Sequence, residues 1–222
     1  MGWLANKLNH NEATEDPDLA LIRRIAQKDR KALETLYYDY TPRIGKFLTK
    51  LLKQPELVDD VVNEVMLVVW QDAGKFDAGQ AKVSTWLFAI AHKKALKLLA
   101  QQNKLVLLTD PDDELEDIDA QEMDGYALSH GELDPDDPEA MVSGWELGEA
   151  LAWAMGQLTP EHRTVLELTC IEQLSCNEVA SIMDCPLSTV KTRIFHARKK
   201  LAALLTQRGY ALKELGGYSD VN

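Results

Sequence analysis

Residues 158–205 read LTPEHRTVLELTCIEQLSCNEVASIMDCPLSTVKTRIFHARKKLAALL, and the reading of this stretch decides the fold. Thr159-Pro160 has the chemistry of a helix start, and that helix should end near Ile171. Ser175 is placed to cap a short helix, CNEVASIM, and Asp184-Cys185-Pro186 reads as a turn. Beyond it, Val190, Ile194, Ala197, Leu201 and Leu204 recur at helical spacing and form one apolar stripe. Lys191, Arg193, Arg198, Lys199 and Lys200 share that helix, and no acidic residue occurs from Leu187 to Arg208. A short helix, a tight break and a long helix with one buried face and a cationic remainder are what a helix-turn-helix needs to enter a major groove.

The 222 residues carry a net charge of −12, which looks hostile to nucleic acid until its distribution is read. From Asp110 to Glu139 there are fourteen Asp or Glu and no Lys or Arg; the rest of the chain sums to +2. The acidity belongs to one segment, residues 104–143, which has Pro111, Pro135 and Pro138 and no sustained apolar period. It reads as a flexible acidic linker. An Asp-rich calcium loop starting at Asp117 fails: Glu122 stands where glycine is needed and Leu128 where a bidentate acid is needed. Cys170, Cys176 and Cys185 form no Cys-x2-Cys pair and read as reduced core residues. No metal and no cofactor is expected. No apolar run approaches the ~20 residues that span a bilayer. The first residues lack a secretory pattern, and Asn6 argues against myristoylation at Gly2. A cytoplasmic protein with no membrane insertion is expected.

Residues 1–16 read as a flexible arm. Asp16-Pro17 starts a helix carrying Leu19, Ile22, Ile25 and Ala26, to about Lys28. A second, from about Arg30 to Leu52, has Leu33, Leu36, Tyr37, Tyr40, Ile44, Phe47, Leu48 and Leu51 on its apolar side, with Pro42 as a possible kink. Pro55 opens a third, PELVDDVVNEVMLVVWQD, with Leu57, Val61, Val65, Val68 and Val69 as the buried stripe and Asp59, Asp60, Asn63 and Glu64 on the other side. After a loop broken by Gly74 and Gly79, a fourth runs from about Ser84 to Gln102. A further helix, WELGEALAWAMGQL, starts near Trp145. No period-2 alternation is long enough for a strand. The expected fold is all-α: two small helical domains, residues 17–103 and 144–206, joined by the linker, with a helix-turn-helix in the second and a C-terminal tail from 207 to 222.

Two separated segments resemble one family, the bacterial RNA polymerase sigma factors of the extracytoplasmic-function (ECF) type. PELVDDVVNEVMLVVWQDAGKFD is similar to the family's core-binding helix, and VSTWLFAIAHKKALKLL to the segment that melts and reads the −10 element. LTPEHRTVLEL, NEVASIM and STVKTRIFHARKKL are similar to the domain that reads the −35 element. The chain departs from the family pattern at HKKALKLL, at His196 and in its long acidic linker.

The resemblance implies a factor that is not itself an enzyme, a monomer when free, with core RNA polymerase, promoter DNA and an anti-sigma factor as partners. It puts Asp59, Asp60, Asn63 and Glu64 on the polymerase. Cationic residues interleaved with aromatics suit an unstacked strand, and the −10 set is Lys75, Phe76, Lys82, Trp86, Lys93, Lys94 and Lys97, with core packing as the other reading of Trp86. The −35 set is Ser188, Thr189, Lys191, Thr192, Arg193, Phe195, His196, Arg198 and Lys199. Within it Lys191, Phe195 and His196 are placed for bases, and Arg193, Arg198 and Lys199 for phosphates. A helix-turn-helix activator that binds DNA without joining the polymerase is the alternative; it calls for an N-terminal receiver or ligand domain, whose alternating strands and helices the sequence lacks.

Overall fold

The computed structural model describes residues 16–52, 54–101 and 138–210, with side chains in the last stretch from Glu146 onward. The expected arm, most of the acidic linker and most of the tail lie outside the described residues. Contacts divide the chain into two compact units, Met1–Lys94 and Ala95–Asn222. Among the described residues there are eight α-helices and no strand.

In the first unit, α1 (Pro17–Ala26) starts where Asp16 accepts a hydrogen bond from the Asp18 amide at 3.0 Å, with Pro17 in the first turn. It stops two residues before the expected Lys28, because Lys28 is left-handed at φ 66°. The turned backbone sends the Lys28 ammonium to the Trp70 carbonyl at 2.7 Å, over the Trp70 ring. The next helix, α2 (Arg30–Leu52), runs on through Pro42 and buries Leu36, Tyr40, Ile44, Phe47 and Leu48. Tyr37, expected among them, is 36% exposed.

In α3 (Pro55–Asp72) the buried residues are Val58, Val61, Val62, Val65, Met66 and Val69. The stripe is therefore rotated from the expected one: Leu57 and Val68 are only half-buried, while Val58, Val62 and Met66 turn inward. Each fully buried side chain of this size stabilises by about 1.5–3 kcal/mol, so this face anchors α3 and leaves the opposite one free. A 3-10 turn (Ala73–Lys75) leads towards α4 (Val83–Gln101), where Val83, Leu87, Phe88 and Ala91 are buried. Phe88 meets Phe47 of α2 edge-on, with ring centroids 5.5 Å apart.

In the second unit, α5 spans Pro138–Gly156, seven residues longer at its start than expected from Trp145. Proline's fixed φ suits a first helical turn, so Pro138, read in the sequence as a linker residue, opens the helix. After it come α6 (Pro160–Leu166), a π turn (Glu167–Ile171), α7 (Cys176–Met183) and α8 (Leu187–Gln207). The π turn continues α6 to the expected end at Ile171. Ser175 and Glu178 form a full capping box at the start of α7, and Asp184 closes that helix at φ 51°. Val190, Ile194 and Ala197 of the expected α8 stripe are buried, and at its end Leu205 takes the place assigned to Leu204. Leu205 packs with Ala150 and Ala154 of α5, and Arg208 lies 3.9 Å over the Trp153 ring.

Candidate nucleic-acid interface

Asp59, Asp60, Asn63 and Glu64 are all exposed on α3, because the valines opposite them hold the other face inside. Glu64 is not free. The Lys94 ammonium of α4 is 2.7 Å from its carboxylate. The sequence assigned Glu64 to the polymerase and Lys94 to DNA, whereas the structure joins them in one ion pair.

Lys75 is also paired, with Asp72 at 2.6 Å, although its side chain is 80% exposed. Phe76 and Trp86 are half-buried and lean on each other with centroids 5.1 Å apart. They bracket the loop that holds exposed Lys82. Lys93 and Lys97 are exposed one turn apart on α4. This set therefore presents an aromatic pair flanked by ammonium groups, the chemistry that stacks a base and holds its phosphate.

In the second unit α8 packs against α5, α6 and α7. Its N-terminus begins at Pro186 with no side-chain cap. Uncapped amides at a helix start carry partial positive charge and accept anions such as phosphate. Ser188 is exposed there, Thr189 and Lys191 half-buried, and the Thr192 hydroxyl donates back to the Ser188 carbonyl at 3.0 Å. Arg193, Phe195 and Arg198 are half-buried and Lys199 is exposed.

His196 differs from its neighbours. Its ring stacks towards His162 of α6, with centroids 6.5 Å apart, and meets Phe195 edge-on at 5.4 Å. Its Nε2 is covered by protein and has no hydrogen-bond partner. That atom does not reach a base without rotation of the side chain.

One buried charge escaped the sequence reading. Arg163 of α6 is 7% exposed. Its guanidinium donates to the carbonyls of Met155 at 2.8 Å, Gly156 at 2.9 Å and Leu158 at 2.9 Å. The last carbonyls of α5 lack partners within their own helix, and Arg163 supplies them. Burial lowers its pKa, and the nearby Glu167 carboxylate works against that. An arginine in the last turn of a short helix carries no sign in the sequence that it points inward.

Two helical units, one with an exposed acidic helix face and a cationic aromatic loop, the other a helix-turn-helix whose long helix starts uncapped, have the chemistry of a DNA-binding protein. Family comparison agrees. Residues 36–105 match Sigma-70 region 2, and residues 149–201 match Sigma-70, region 4. The ECF RNA polymerase sigma-E factor of Haemophilus influenzae is 31% identical over 184 residues, 83% of this chain and 93% of that protein. The RNA polymerase sigma-H factor of Pseudomonas aeruginosa is 28% identical over 188 residues, 85% and 93% of the two chains. The chain belongs to the ECF family of RNA polymerase sigma factors. Its fold is shared with the solved structure of CnrH in complex with the cytosolic domain of CnrY, at TM-score 0.56 and 22% identity over 86% of this chain and 99% of that one. The Bartonella quintana sigma factor RpoE, solved with the anti-sigma factor NepR, gives 0.54 and 20% over 79% and 98%. Among the described residues, no helix is long and apolar enough to cross a membrane.

Proposed function

We propose that this chain is an alternative sigma factor that binds core RNA polymerase and directs initiation at specific promoters, under the control of an anti-sigma factor and in the bacterial cytoplasm. The observation that carries this is the succession of region 2 and region 4 in one chain. A free-standing activator accounts for the second region and leaves the first without a use.

In this reading the factor catalyses nothing; it lends recognition to the polymerase. Asp59, Asp60, Asn63 and Glu64 face the polymerase. The loop of Lys75, Phe76 and Lys82, with Trp86, Lys93, Lys94 and Lys97, holds the opened −10 strand. On α8, Ser188, Thr189, Lys191, Thr192, Arg193, Phe195, Arg198 and Lys199 meet the −35 duplex, and His196 seats the helix on α6.

The test is reconstitution with purified core polymerase and a template carrying the region upstream of the factor's own gene. The chain should co-purify with the enzyme and start transcripts there. The Asp60→Lys, Glu64→Lys double variant should lose holoenzyme while its circular dichroism stays unchanged. Unaltered affinity in that variant sinks the assignment of the α3 face.

A further inference from the structure

Glu64 of α3 and Lys94 of α4 belong to two different candidate surfaces, yet carboxylate and ammonium are 2.7 Å apart. The Glu64 side chain is 51% exposed and that of Lys94 32%, so a partner reaches both. A second pair repeats the pattern. Asp72, the last residue of α3, holds the Lys75 ammonium at 2.6 Å. Two lysines of the −10 set are thus matched by carboxylates of one helix, the helix whose exposed face is assigned to the polymerase.

We infer that Glu64 is the counter-ion of Lys94 in the free factor, and that the polymerase, by bringing a cationic group to Glu64, releases Lys94 to the phosphates of the opened strand. An ammonium in contact with a carboxylate presents little net charge to a phosphate. It therefore adds little to the counterion release that drives strand binding. The acidic face of α3 calls for a cationic partner. Once a second cation neutralises Glu64, the Lys94 charge is no longer cancelled, whether or not the pair separates. Linkage makes the effect reciprocal: a phosphate at Lys94 tightens the hold of the polymerase on Glu64 by the same factor. For an exposed pair that factor is at most about five-fold.

Both ends of this coupling rest on the proposed function, Glu64 on the polymerase and Lys94 on the strand. Asp72 lies outside the polymerase set, so the coupling is assigned to Glu64 alone.

The experiment is a salt titration of DNA binding with the full-length chain, free and as holoenzyme. For the free factor the probe is a fluorescein-labelled thymidine dodecanucleotide, read by anisotropy. Glu64→Gln should bind it up to about five-fold tighter at low salt. The plot of log affinity against log salt should steepen by about 0.7, the value for one more phosphate on a single strand. Adding Lys94→Ala should remove both gains. No gain, or a gain that survives Lys94→Ala, overturns the counter-ion.

For the holoenzyme, at saturating polymerase, the probe is a pre-opened bubble template carrying the region upstream of the factor's own gene. Lys94→Ala should flatten the salt slope there by about 0.7, and by less than half as much in the free factor. Lys93→Ala, at an exposed position on the same helix, should flatten it equally in both states. Equal flattening by Lys94→Ala in the two states overturns the release, and the same contrast at Lys93 overturns Glu64 as its cause. No flattening by Lys94→Ala in the holoenzyme removes Lys94 from the strand and the coupling with it. A chain that forms no holoenzyme defeats the proposed function and the release together, and the free-factor titration still decides the counter-ion.

Discussion

Removing the Arg163 guanidinium should loosen the whole helix-turn-helix unit. Its three donor bonds, at 2.8, 2.9 and 2.9 Å, end on carbonyls at the close of α5 and the turn after it. Hydrogen bonds to a charged group contribute about 1.5–3 kcal/mol each, but burying the cation offsets part of the sum. Breaking a buried charged network by removing one partner costs about 3–5 kcal/mol, and that is the expectation for Arg163→Ala. Such a loss matches the roughly 3–5 kcal/mol that one small core supplies, so Arg163→Ala should be substantially unfolded in this unit. Arg163→Met separates the causes. It keeps the packing of the side-chain stem and deletes every donor, so it should cost at least about 2 kcal/mol. The assay is amide hydrogen exchange by mass spectrometry on the full-length chain, with urea unfolding as the global measure. Protection should fall first at the C-terminal turn of α5 and in α6, and remain in α1–α3. If Arg163→Met exchanges like the wild type, the arginine acts by filling space and the carbonyl network is not what joins α5 to α6.

Three further outcomes are expected. Ser175→Ala removes the capping box of α7 and should lower stability by about 1 kcal/mol, read as a lower thermal midpoint; no shift rejects the cap. Glu64→Gln frees the Lys94 ammonium held at 2.7 Å. As exposed pairs are worth at most about 1 kcal/mol, single-strand DNA binding at low salt should rise by no more than about five-fold, and a fall would rule out Lys94 as a strand contact. The carboxyl of Asp29 is held below its ordinary value of 3.8, first by the Arg24 side chain and then by the amides of Ala32 and Lys31, against a desolvation effect. A folded value below the unfolded one means stability that is present above about pH 4 and lost as pH falls through the folded value; the gap between wild type and Asp29→Asn should therefore close in acid, and a pH-independent gap would contradict it.

What the sequence determined by itself is local. Helix starts at Asp16-Pro17, Thr159-Pro160 and Ser175 were legible because a cap acts within four residues, and the start at Pro55 because proline suits a first helical turn. The outward polar face of α3 and the inward stripe of α8 were legible because helical periodicity sorts polar from apolar side chains whatever they pack against. The tertiary structure decided which surfaces meet. Glu64 and Lys94 are thirty residues apart in sequence, and only the fold brings their side chains to 2.7 Å. Tyr37 sits in an apolar period, yet it is 36% exposed. Arg163 and His196 look like surface residues in the sequence, yet one closes the end of α5 and the other stacks its ring towards His162 of α6 with its Nε2 covered. Periodicity reports how much of a helix is apolar; the partner and the angle at which it arrives depend on the shapes of side chains far away in the chain.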